Sequence, residues 1–185
     1  MNFKWIAGAA MVLLSGLALA QAVQPQAPNE DVEAAKARLA KSHISPKERA
    51  ALAEASAAAE NKKQGPAFLA ANRTKPGVKT LASGVQYRVL QAGKGAKPKA
   101  TGHVRARYIA HLIDGASFDK VEDKDGTELV VKGLVPGLRE AVLQMPVGSK
   151  WEVVVPPALG YGKHGTHGVA PDAVLIYEFE VLGVR

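Results

Sequence analysis

The chain of 185 residues contains no cysteine. That excludes a thiolate nucleophile, a zinc site built on thiolates, a disulfide framework and any lipid attached through cysteine. No serine lies in a nucleophile-elbow pattern. The glycine-rich stretch "GKHGTHG" at 162–168 opens no helix, so it lacks the amide array that cradles a phosphate. His164 and His167 stand three apart in that stretch with only Asp172 nearby. Zinc needs three or four ligands in defined geometry, so these two are read as solvated loop histidines and no metal site is expected. Long apolar runs are also missing beyond the N-terminus. Nor does any carboxylate or histidine fall into place beside Asp119 as an acid–base partner.

What is present begins with "MNFKWIAGAAMVLLSGLALA" at 1–20. Lys4 is followed by an apolar run that ends in Ala18-Leu19-Ala20, small-x-small. This is the pattern of a secretory signal peptide. The run is short for a membrane span, which needs about 20 residues. Cleavage is expected after Ala20, with a periplasmic or secreted product. The formal charge of +7 becomes 7 − 1 = +6 without Lys4. The basic residues are scattered, which reads as a solvated surface rather than a nucleic-acid footprint. Hydrophobic residues make up 47% of the chain, but many are alanine, so the apolar bulk has to be located along the sequence.

Residues 21–30 are rich in proline and glutamine and read as a flexible leader. Residues 31–77 read as a helical region. "DVEAAKARLAKS" puts Val32, Ala35 and Leu39 on one face. "SPKE" at 45–48 then combines an N-cap serine, proline at the first helical position and a glutamate that closes a capping box. Gly65-Pro66 is expected to kink or break this helix, because proline removes a backbone donor and clashes with the preceding turn. With few large apolar side chains, the region should pack on a second copy of itself or on the C-terminal domain.

From Val78 the pattern changes, and 78–185 reads as an α+β domain. Two strand-like runs flank Ser83-Gly84, a hairpin signal. "HVRARYIAHLI" alternates, with Val104, Ala106, Tyr108, Ala110 and Leu112 on one face. Asp114-Gly115 is a turn, and "ELVVKGLV" is extended. "PGLREAVLQMPVG" switches to helical spacing, with Leu138, Ala141, Val142 and Met145 on one stripe and Gly148 as terminator. "KWEVVV" and "VLIYEFEVLGV" are strands, the first stopped by Pro156-Pro157 and the second carrying Leu175, Tyr177, Phe179 and Val181 on one face. The expected fold is an antiparallel twisted sheet wrapped around one short helix.

With covalent and metal chemistry lacking parts, the scattered aromatic and aliphatic residues are left. Tyr108, Phe118, Val135, Tyr161 and Tyr177 sit on elements able to converge, with Asp119 and the Tyr161 hydroxyl as polar points. They form either a small apolar binding pocket or plain core.

Three segments carry a resemblance: "RYIAHLIDGASFD", "GLVPGLREAVLQMPVGSKWEVVVPPALGYGKHG" and "APDAVLIYEFEVL". Over residues 80–185 the chain resembles the FKBP-type peptidyl-prolyl cis-trans isomerases. "FLAANRTKPGVKTLASGVQYRVLQAGKGAKP" further resembles the bacterial exported subgroup similar to macrophage infectivity potentiator. The resemblance implies an isomerase that needs no cofactor and helps exported, proline-containing proteins fold. It also implies macrolide inhibitors and a homodimer through the N-terminal helices. It assigns catalytic roles to Tyr108, Phe118, Asp119 and Tyr161, and substrate binding to Leu134, Val135, Leu138, Tyr177 and Ala170. Tyr161 would donate to a substrate carbonyl. Asp119 would either accept from Tyr108 or polarise the bound amide. The loop 162–168 would overhang the pocket. Three departures stand out: Leu138 replaces the usual tryptophan floor, Thr127 a wall phenylalanine and Ala170 a loop isoleucine. These imply a wider, less aromatic pocket. They keep open the alternative of a holdase chaperone that binds without efficient turnover.

Overall fold

The computed structural model describes residues 45–185; the expected signal peptide, the expected leader and the helix expected from residue 31 lie outside them. The first described element is helix α1, Pro46–Asn72. It starts as the sequence implies. The Ser45 hydroxyl accepts from the Glu48 N–H, and the Glu48 carboxylate accepts from the Ser45 N–H at 2.9 Å. That carboxylate's pKa is held below its usual value by its bonds to Ser45. The 27 residues make a rod about 40 Å long.

The expected break at Gly65-Pro66 does not occur: the helix runs through Pro66 to Asn72. Proline inside a helix costs roughly 3 kcal/mol, and tertiary docking supplies the compensation. Gly65 is buried, and a Cβ there would sit 3.3 Å from Val174. Phe68 and Leu69 pack on Val154, Val174 and Ile176. Buried Asn72 donates to the Gln86 carbonyl oxygen at 2.9 Å, and Gln86 donates in turn to the Leu69 carbonyl at 2.9 Å. These contacts hold the last two turns of α1 against the domain. Residues 45–57, the N-terminal half, are exposed.

Seven strands follow: β1 Val78–Thr80, β2 Gln86–Gln91, β3 His103–His111, β4 Ser117–Val121, β5 Thr127–Val130, β6 Lys150–Val155 and β7 Leu175–Val184. All pairings are antiparallel, in the order β1-β2-β6-β7-β3-β4. β3 is long enough to take two neighbours on one edge. Its first half pairs β5 (Val104 with Leu129) and its second half pairs β4 (Ala110 with Asp119). The turns fall on the glycines read as turn residues. Gly84 and Gly115 have φ of +94° and +87°, a region that glycine enters without a Cβ penalty.

The two sheet faces differ as period-2 alternation requires. Leu175, Tyr177, Phe179 and Val181 of β7 face the main core with Val104, Ala106 and Ala110 of β3. On the other face Arg107 and Lys150 pair with Glu180 and Glu178 at 2.7 Å each. Under α1 that face turns apolar, with Val154, Val174 and Ile176.

Helix α2, Pro136–Val142, fills the concave face with Leu138, Ala141 and Val142. It is shorter than its apolar spacing suggests. It ends at Val142 with Leu143 as C-cap, and turn-type bonds Gln144 N to Ala141 O and Met145 N to Val142 O carry the chain on, so Met145 is still fully buried. The extended piece expected through Val135 is interrupted as well. β5 stops at Val130, and Val131–Gly133 form a 3-10 turn that leads into α2.

Candidate functional site

Between α2 and the concave face lies a cavity of about 230 Å³. Its floor is Leu138, only 3% exposed, on the first turn of α2. Leu134 and Val135 line it from the segment before that helix. Tyr108 enters from β3 and Tyr177 from β7, neighbouring strands whose Ala110 and Tyr177 are paired. Tyr161 comes from the loop after β6, where Pro156 ends the strand and Gly162 turns with φ +61°. Gly160 is also required: a Cβ there would lie 2.8 Å from Leu175.

The polar side of the cavity is ordered. The Tyr108 hydroxyl donates to Asp119 Oδ2 at 2.8 Å, while the Tyr108 ring stacks on Phe179 at 5.7 Å between centroids. This is the first of the two roles left open for Asp119. Burial, then the bond to Asp119 and that carboxylate's charge, push the Tyr108 hydroxyl's pKa well above the usual tyrosine range. Burial likewise raises that of Tyr177, with Tyr161, Asp119 and Tyr108 adding to it. Both hydroxyls therefore stay protonated and able to donate at any ordinary pH.

Phe118 does not line the cavity but braces it. Its ring meets Tyr177 edge-on at 6.0 Å and Tyr161 at 6.4 Å, so it sets the positions of two lining rings. Ala170 and the overhanging loop 162–168 do not reach the lining. Ala170 carries only a methyl group. Its backbone packs against Gly165, where a Cβ would lie 3.0 Å from the Ala170 carbonyl carbon. His164 and His167 are exposed in that loop.

Thr127 is not part of the wall either. It pairs with Ala106 near the start of β5, and the β5 residue that reaches the cavity is Leu129. Leu129 went unread although two-residue alternation puts it on the same face as Thr127. Gly133 also lines the cavity through its backbone, for which residue type offers no signal. The wall is thus aliphatic where Thr127 was expected to stand, and it is supplied by Leu129.

An antiparallel sheet folded around one short helix, with an apolar cavity between them rimmed by tyrosine hydroxyls and one carboxylate, defines a class of small binding and isomerase domains. The comparisons with known proteins assign the family. Residues 94–182 match the model of the FKBP-type peptidyl-prolyl cis-trans isomerase, and residues 9–89 match the domain amino terminal to it. The chain is similar to the FKBP-type peptidyl-prolyl cis-trans isomerase FkpA of Aeromonas hydrophila, 43% identical over 69% of this chain and 48% of that protein. It is 44% identical to outer membrane protein MIP of Legionella longbeachae, over 69% of this chain and 56% of that one. A crystal structure of a peptidyl-prolyl cis-trans isomerase from Pseudomonas syringae pv. tomato matches with TM-score 0.62 and 32% identity, covering 78% of this chain and 99% of that one. The chain belongs to the FKBP-type peptidyl-prolyl cis-trans isomerase family. It spans about half the length of the curated relatives it matches.

Proposed function

We propose that the protein is a peptidyl-prolyl cis-trans isomerase that acts on unfolded or partly folded exported proteins. The observation that carries this reading is the cavity of about 230 Å³, apolar at its floor and hydroxyl-bearing at its rim. An X–Pro bond isomerises over tens of seconds unaided, because its partial double bond must be broken. In the twisted transition state the amide loses conjugation, and its carbonyl becomes less dipolar and less dependent on water. A dry pocket that holds the proline ring therefore favours the twisted form over the planar one, which is differential binding. No nucleophile, metal or proton transfer is required of the residues.

Val135, Leu138 and Tyr177 take the ring, with Phe118 fixing the walls. Tyr161 donates to a substrate carbonyl. Tyr108 is held by Asp119, which keeps the rim's shape and charge in place. A macrolide of FKBP-ligand type competes for the same pocket. Residues 1–20 direct export and are removed after Ala20, 21–30 form a leader, 31–77 a helical region and 78–185 the isomerase domain. The exposed half of α1, with Leu52 at 45% exposure, joins a second copy.

Proline-limited refolding of a reporter protein with the purified mature chain tests the activity. Acceleration at catalytic concentrations, blocked by a macrolide, is the expected result. No acceleration, together with suppressed aggregation of an unfolded client, would replace the isomerase with a holdase.

A further inference from the structure

Helix α1 does more than cover the back of the sheet. One turn before its buried Gly65 it touches the loop that leads to the cavity. The half-buried Asn61 side-chain amide donates to the Pro171 carbonyl at 2.9 Å. Its neighbour Lys62 lies 3.5 Å from the Asp172 carboxylate. Asp172 is the one non-glycine residue among those described with positive φ, at +58°, a conformation that aspartate tolerates better than most. In that conformation its N–H donates to the Gly162 carbonyl at 2.9 Å. Gly162 is bonded to Tyr161, whose ring lines the cavity. A continuous path of directed bonds therefore runs from the helix to Pro171 and Asp172, across to Gly162 and into Tyr161.

On the cavity side the Tyr161 ring meets Phe118 at 6.4 Å and Gly160 abuts Leu175, while on the outer side the Asp172 bond to Gly162 ties the turn to the segment under α1. Gly162 has open space where a Cβ would be, and residues 163–164 and 166–168 are exposed. Of the two helix contacts, the Lys62 pair is the weaker, since its ammonium is 72% exposed and screened. The Asn61 bond is the directional one.

We propose that Asn61, seconded by Lys62, is a positioning residue for Tyr161, so that docking of α1 sets the placement of the pocket's hydroxyl donor. This rests on the isomerase reading above. On this reading the Tyr161 hydroxyl holds a substrate carbonyl other than that of the twisting amide, so the bond is alike in planar and twisted peptide, and loosening it raises KM and leaves kcat nearly unchanged. The effect passes through that hydroxyl. It therefore disappears when the hydroxyl is gone, whereas a general loss of packing adds to it.

The test uses the mature chain with Asn61→Ala, Tyr161→Phe and the double variant, each assayed on an X–Pro peptide. Amide hydrogen exchange is followed in parallel. Asn61→Ala is expected to raise KM about threefold with kcat within about twofold, as partial loss of one neutral hydrogen bond would. Exchange at the Asp172 amide quickens several-fold while the β3 and β7 amides hold. In the Tyr161→Phe background Asn61→Ala adds nothing further. An equal loss in both backgrounds overturns the proposal, as does a wild-type KM in Asn61→Ala. A wild-type chain that does not catalyse at all instead overturns the isomerase reading. The Asp172 exchange then decides the mechanical link, and unchanged exchange overturns it.

Discussion

Leu138 is the residue on which the pocket's behaviour turns most. It is nearly fully buried, it forms the floor, and the space above it is small. A leucine there leaves less aromatic surface for a ligand than the tryptophan common in the family. Leu138→Trp is expected to tighten macrolide binding by about 1 kcal/mol, or roughly five- to tenfold in Kd, since added aromatic area is buried against the ligand. Fluorescence titration of the folded variant measures this. Weaker binding with an intact circular dichroism spectrum would mean that the larger ring fills the cavity itself. The same residue scale explains why Thr127 misled. Residue type alone could not say how far along β5 the cavity begins, whereas pairing of Leu129 with Val104 places it.

Among the elements, α2 is held closest to the sheet, and Gly137 is the reason. A Cβ there would lie 2.6 Å from Val155 and 3.1 Å from both Leu159 and Val85. The helix has seven residues, too few to stand by propensity alone, so its place depends on this approach. Gly137→Ala is expected to destabilise the protein by about 1–3 kcal/mol through overpacking, despite alanine's better helix propensity. Thermal unfolding should show a Tm lower by roughly 5–10 °C. An unchanged Tm would show that α2 can withdraw from the sheet without cost. Helix α1 makes the opposite point. Its capping box was readable from "SPKE", but its continuity through Pro66 was not. Local sequence carries the proline penalty, and the offsetting contacts come from Val174, Gln86 and Pro171, which lie far along the chain.

At the scale of the whole molecule, half of α1 is left without cover among the described residues. Residues 45–57 are exposed and include Leu52, one of the few large apolar side chains outside the core. Protein purified from exporting cells is expected to have the mass of a chain beginning at Gln21 and to scatter light as a dimer. Leu52→Glu, which puts a charge on the proposed contact, should scatter as a monomer. Retention of residues 1–20, or a monomeric mature chain at tens of micromolar, would overturn the respective part.

Most of the strands, their faces, both glycine turns and the sheet-plus-helix class could be read from the sequence; β4 and the end of β5 could not. Alternation and helical spacing are local properties, and burial enforces them wherever one face meets the core. The lack of thiol chemistry could be read in the same way, because a missing cysteine is absent from every fold. Tertiary structure alone decided which apolar residues line a cavity and which merely brace one, so that Leu129 and Gly133 line it and Phe118 supports it. It also decided that a proline-containing helix stays whole and reaches the loop beside Tyr161. Each of these depends on contacts between residues distant in sequence, whose energies outweigh local preference and leave no local pattern to read.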